Sequence, residues 1–300
     1  MKLYIIGNGF DIAHDIHSSY SDFCAFVRDN HPYDFERIGH LFFDDANVLW
    51  SDFERNLTHL NILRLVNENI DIWKHQNSRD IENTFDTEFS NLKTYFMEWV
   101  ISQFNHIHGD RIYDLSANDF YVNFNYTNTL HTVYGIPNTR ILYIHENSVE
   151  NHYLMPIVGH GEPPEEITRR IEDVSANIEE IVRLSFVRDL GIYPVGETTE
   201  VIKNEINHFL NSLRKNTDDV MQRHHDFFEN LGEQRDVVTD VIILGHSLAD
   251  VDIPYFKRID ELLNVDTSWH IDYYPHDIFS RDAKLRRFRE VMDFDAAAYD

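Results

Sequence analysis

Residues 3–16 read LYIIGNGFDIAHDI: four apolar residues fit for a buried strand, then a Gly-Asn-Gly turn where a helix begins. A helix N-terminus after a glycine loop is a natural seat for phosphate. Gly7, Asn8 and Gly9 are therefore candidate nucleotide contacts through their backbone amides, the two glycines allowing close approach. The third glycine of a dinucleotide fingerprint is missing, since Ile12 and Ala13 stand near its place, so the glycines alone also fit a plain tight turn. Two carboxylates beside this loop would repel a phosphate. Asp11 then reads either as an acceptor for two ribose hydroxyls, as the acid of dinucleotide folds does, or as a helix cap filling the anion site itself. Asp15, a turn further on, reads as a solvated first-turn acid complementing the helix dipole.

Working outward, short apolar runs recur at 2–6, 120–124, 141–144, 154–158, 239–244 and 269–274. Each has strand length, and their unbroken apolarity suggests strands covered on both faces, the mark of a parallel sheet. Helical patterns lie between most of them, which predicts an α/β fold: a doubly wound, mostly parallel sheet of Rossmann type. Two long helical blocks, about 18–115 and 164–232, exceed any single crossover helix and read as insertions into one α/β domain spanning 1–300. Within the first, Phe85, Phe89, Leu92, Phe96, Val100 and Phe104 recur every three or four residues and predict a core-facing stripe. Trp50 and Glu54, four apart, share a helix face and are candidates to line a pocket, or else core packing with an exposed acid.

Composition bounds the partners. The chain has 300 residues, 42% hydrophobic, with 26 basic against 52 acidic side chains and a formal charge of −26. That field disfavours extended nucleic-acid and anionic-membrane binding. The single cysteine, Cys24, fits a reducing cytoplasm and reads as a core thiol on a helix. No stretch reaches the roughly 20 apolar residues of a membrane helix, and the first residues lack the order of a signal peptide. A soluble, cytoplasmic protein is expected.

In α/β sheets ligands bind beyond the carboxyl ends of strands. After the second run comes Asn123-Phe124-Asn125-Tyr126-Thr127-Asn128-Thr129, more amides and hydroxyls than one helix cap at Thr127 or Asn128 requires. After the third comes His145-Glu146 and after the fourth Gly159-His160-Gly161-Glu162; a histidine there suits general-base work, although most of 18 histidines must serve structure. No short metal-ligand spacing appears, and no metal is expected. After the fifth comes Gly245-His246-Ser247-Leu248-Ala249-Asp250-Val251-Asp252. Ala249 stands where a nucleophile elbow needs its second glycine, so this loop reads as a helix-capping segment that touches a ligand's hydroxyl or phosphate.

LYIIGNGFDIAHDI, SYSDF (19–23), LWSDFERNL (49–57), VNFNYTNTLHTVYGI (122–136), ILYIHE (141–146) and VIILGHSLADVDIPYF (241–256), in this order, resemble the bacteriophage abortive infection AbiH family. More distantly they resemble the sirtuin-like NAD-hydrolysing domains of antiphage systems. That second likeness implies Asn125 and His145 as catalytic, Gly245, Ser247 and Asp250 as a cofactor loop, and NAD or a related nucleotide as substrate. Three positions depart from its pattern: Glu146 replaces a glycine, Thr127 an aspartate, and Asp11 a small residue. The expected function is a phage-defence effector that hydrolyses an N-glycosidic bond of NAD or a related nucleotide. The alternative is an inactive nucleotide-fold sensor or interaction module; a metal-dependent nuclease using Asp11, Glu54, Asp250 and Asp252 comes third. Expected partners are a nucleotide, a phage-derived trigger or defence protein, and a second copy of the chain.

Overall fold

The computed structural model describes residues 1–42, 53–74, 78–104, 107–145, 159–188, 194–272 and 278–299. The expected strand at 154–158, Trp50 and Glu146 lie outside them. The described chain divides into two compact units: Met1–Ser19 with Met97–Ile157 and Asn216–Asp300, and Tyr20–Phe96 with Val158–Lys215.

The first unit holds a sheet of six parallel strands: β1 (Lys2–Ile6), β2 (Phe120–Asn123), β3 (Ile141–Tyr143), β4 (Asp240–Leu244), β5 (Ser268–Asp272) and β6 (Ala297–Tyr299). Their spatial order is β3-β2-β1-β4-β5-β6, the order of dinucleotide-binding α/β sheets, with a topological switch point between β1 and β4. Alternation along β1 explains the layering. Leu3 and Ile5 enter one core with Val122, Ile243, Phe228, Phe256 and Phe288, whereas Tyr4 and Ile6 enter another with Phe10, Leu130 and Tyr134. Helices therefore cover both faces, as the doubly wound reading required. The last strand escaped the sequence reading because three residues of Ala-Ala-Tyr carry too little apolar signal.

Register sets the site. Ile6 pairs with Asn123 and with Leu244, and Asn123 pairs with Tyr143, so the segments after β3, β2, β1 and β4 emerge level along one carboxyl edge. The loop after β1 runs into α1 (Asn8–Ala13), and that after β2 into α2 (Thr129–Tyr134), which Gly135 ends in a left-handed conformation, φ 70°. The loop after β4 passes through a short 3-10 turn into α3 (Ile253–Leu262), and α4 (Ile278–Met292) joins β5 to β6.

The second unit is helical in its longer elements and packs around aromatic contacts. Phe85 stacks on Phe209 at 4.6 Å and tilts against Trp73 at 5.5 Å. Phe85, Leu92, Phe96 and Val100 of the expected stripe are all buried; the side chains of Phe89 and Phe104 lie outside the described ones. Cys24 is half-buried in the helix Tyr20–Asn30, where burial raises its thiol pKa. Among the described residues no helix is long and apolar enough to cross a membrane.

Candidate functional site at the switch point

Two glycine loops meet backbone to backbone between β1 and β4. Gly7 N–H donates to Leu244 O at 2.9 Å and Gly9 N–H to Gly245 O at 2.8 Å. A Cβ on Gly7 would stand 2.4 Å from His246 Cα, and one on Gly245 would stand 2.3 Å from Phe10 N. Gly245 also holds φ at +65°. Glycine is thus required here for close approach and for a left-handed backbone. The amides expected to cradle phosphate are consequently committed at Gly7 and Gly9. Asn8, at the start of α1, instead accepts from Ser18 Oγ through its side-chain oxygen at 2.5 Å.

Asp11 faces the protein rather than an open ligand surface. Its side chain is fully buried; Thr127 Oγ1 donates to Oδ2 at 2.5 Å and Thr129 Oγ1 to Oδ1 at 2.9 Å. Burial lifts its carboxyl from the usual 3.8 to about 6, against the opposing pull of hydrogen bonds from Thr127, Thr129 and Asn125. The cap reading of this residue is corrected: the N-cap of α1 is Gly7, with no side-chain cap bond, and Asp11 lies within the helix. Asp15 is corrected too: α1 ends at Ala13, so Asp15 lies beyond the helix, exposed, with φ 63°.

The amides after β2 organise their own loop. Asn125 N–H donates to Asn123 Oδ1 at 3.0 Å, a local turn bond, and Asn123 Nδ2 donates to Thr127 O at 3.0 Å. Asn125 Nδ2 reaches across to Gly7 O at 3.1 Å, tying this loop to the first. Neither expected cap forms: Asn128 is the N-cap of α2 but has no side-chain cap bond, and Thr127 is spent on Asp11. His145 lies two residues past the end of β3, buried, its ring stacked on Tyr126 at 4.4 Å between centroids and 21° between planes. Asn125, His145 and the glycine loops thus belong to one edge.

The loop after β4 is held by a buried histidine. Leu248 N–H donates to His246 Nδ1 at 2.9 Å, which leaves the proton on Nε2, 3.4 Å from Asp252 Oδ2. Phe124 and Phe256 pack edge-on against this ring. The bond holds Leu248 at φ 59°, a left-handed value costly for a branched side chain. Ser247 between them is exposed. Asp250 is exposed as well and pairs with Arg287 of α4, whose Nε–H also donates to Leu248 O at 3.4 Å.

A second buried network borders α1. His14 Nδ1 lies 2.7 Å from Phe10 O, which can only accept, so Nδ1 carries the proton; His14 Nε2 then accepts from Tyr134 OH at 2.7 Å. The same hydroxyl accepts from the amides of Ile112 and Tyr113 at 3.1 and 3.2 Å. Burial lowers the His14 pKa. Sequence reading singled out neither this pair nor His246–Asp252; buried polar partners leave no periodic signal.

His160, in the second unit, is structural: Nε2 donates to Leu210 O at 2.9 Å and Nδ1 accepts from Glu162 N–H at 3.2 Å. Each carboxylate of the nuclease reading has a protein partner of its own. Asp11 is held by threonines, Asp252 faces His246, Asp250 pairs with Arg287, and Glu54 lies 2.7 Å from the buried Lys215 ammonium. Among the described residues no cluster of three or more His, Cys, Asp or Glu has the arrangement of a metal site.

No curated protein and no solved structure matches the chain. The family model for bacteriophage abortive infection AbiH matches residues 3–273, which run from Leu3 of β1 to just past β5. The chain therefore belongs to the bacteriophage abortive infection AbiH family, and its role lies in phage abortive infection.

Proposed function

We propose that the protein is a nucleotide-directed effector that hydrolyses the N-glycosidic bond of NAD or a related nucleotide at the switch point. The observation that carries this reading is the β3-β2-β1-β4-β5-β6 order, with two glycine loops in contact where the order reverses. Cleavage breaks the bond between C1′ and the base nitrogen; the base leaves with the electron pair and water oxygen bonds to C1′. The water's proton needs a base, and His145, buried two residues past β3, is the candidate. Asn125, its amide nitrogen already on Gly7 O, offers its side-chain oxygen to a ribose hydroxyl or to that water. Gly245, the exposed Ser247 and Asp250 form the cofactor loop, with Asn8 opposite. Asp11 acts from beneath by fixing the Asn125 loop through Thr127 and Thr129.

One observation favours a second reading. The amides of Gly7 and Gly9 and both oxygens of Asp11 are engaged within the protein, as suits a nucleotide fold retained as a sensor or interaction module. Mass spectrometry of products after incubation with NAD, NADP, ATP and GTP separates the two. Because Asn125 also holds Gly7, the diagnostic variants are His145→Gln and the exposed Ser247→Ala. Free nicotinamide from the unaltered protein, lost in His145→Gln and reduced in Ser247→Ala, is the expected result. All four nucleotides surviving intact would overturn hydrolysis and favour the module.

A further inference from the structure

In a chain with twice as many acidic as basic residues, α4 reverses the balance. Arg281, Lys284, Arg286, Arg287 and Arg289 stand there against Asp282 and Glu290. Three of them follow one another at intervals of three along the helix: Arg281, Lys284 and Arg287. All three are half-buried, unlike the exposed Arg286 and Arg289. Lys284 Nζ reaches Asp272 O, the end of β5, at 3.5 Å, and Arg287 reaches Leu248 O and Asp250 after β4. Lys284 and Arg287 therefore border the carboxyl edge of the half-sheet that follows the switch point, with Arg281 one turn before Lys284 on the same helix.

We infer that Arg281, Lys284 and Arg287 form an anion-binding platform for the phosphates of a ligand extending from the switch point across β4 and β5. The identification of that ligand as a nucleotide rests on the function proposed above; the platform itself does not. Two features support it. The Arg287–Asp250 pair is exchangeable, because the Asp250 side chain is 89% exposed and an exposed ion pair contributes little. A phosphate would replace it with charge-assisted, bidentate bonds to the guanidinium. Lys284, in turn, is held below its ordinary pKa by burial, with Asp272 pulling the other way, so an arriving anion would restore favourable surroundings to its ammonium. Of the carboxylates that reach it, Asp250 is displaceable, and the Asp272 carboxylate accepts from Tyr113 OH at 3.4 Å.

Calorimetric titration with inorganic pyrophosphate, ADP and adenosine tests the platform. The unaltered protein and Arg286→Gln should bind pyrophosphate and ADP alike. The double variant Lys284→Gln/Arg287→Gln should lose at least about tenfold in affinity for both, a difference of 1.4 kcal/mol. Adenosine, lacking phosphate, should not distinguish the proteins. The charge-retaining pair Lys284→Arg/Arg287→Lys should recover part of the loss, which separates charge from misfolding. Pyrophosphate has no glycosidic bond, so its selective loss supports the platform even if no nucleotide is cleaved. ADP and pyrophosphate binding equally to the unaltered protein and the double variant would overturn the platform while leaving a nucleotide site standing. No binding of either to the unaltered protein would overturn it outright.

Discussion

Thr127 donates its hydroxyl proton to Asp11 Oδ2 at 2.5 Å, joining the helix after β1 to the loop after β2 across 116 residues of chain. Hydrogen bonds to a charged group contribute about 1.5–3 kcal/mol, and breaking this one leaves a buried oxygen short of a donor. Thr127→Val, nearly equal in shape, should therefore cost about 2 kcal/mol in denaturant unfolding. Thr127→Ser should recover most of it.

Asp11 should also shape stability against pH. Its folded pKa, about 6, lies above the ordinary 3.8, so the native state holds the proton more tightly. The ionised carboxylate is therefore a burden that is absent below about 3.8, grows as pH rises, and is complete above about 6. The difference corresponds to about 3 kcal/mol at most. Asp11→Asn removes this slope, and its melting temperature relative to the unaltered protein should climb between pH 4 and 7. His14 has the opposite sign: with its pKa lowered by burial, its contribution is present above its ordinary value and fades as pH falls. It is common to both proteins, so their difference reports Asp11.

Gly245→Ala should be among the most damaging single-methyl additions. A left-handed φ costs an L-residue roughly 1–2 kcal/mol, and the new Cβ would stand 2.3 Å from Phe10 N. Thermal unfolding should show a loss above about 2 kcal/mol. The loops must part to admit the methyl, so the hydrolysis proposed above should fall as well.

Tyr134→Phe removes one hydroxyl with three partners: the amides of Ile112 and Tyr113 as donors and His14 Nε2 as acceptor. The expected cost is about 2–3 kcal/mol, since stranded polar groups lose their solvation without recompense. Amide hydrogen exchange at Ile112 and Tyr113 should accelerate in the variant. Unchanged protection there would contradict the assigned bonds.

The sequence by itself determined the parallel sheet, the positions of five strands, the two glycine loops at strand ends and the family. These depend on local signals: unbroken apolar runs mark strands buried on both faces, and glycines mark where backbone must turn left or approach closely. It also led to Asn125, His145 and Gly245 as members of one edge, because strand ends in such sheets converge. Only the tertiary structure decided what each polar group does there. Asp11 turns inward to Thr127 and Thr129, Asn125 clasps Gly7, the glycine amides go to the β4 loop, and Arg287 of α4 reaches Asp250. Each is a pairing between segments distant in the chain, set by strand register and helix placement. A carboxylate after a glycine loop reads alike in sequence whether a ribose or a threonine fills its lone pairs; the choice between them appears only once the sheet has brought β2 beside β1.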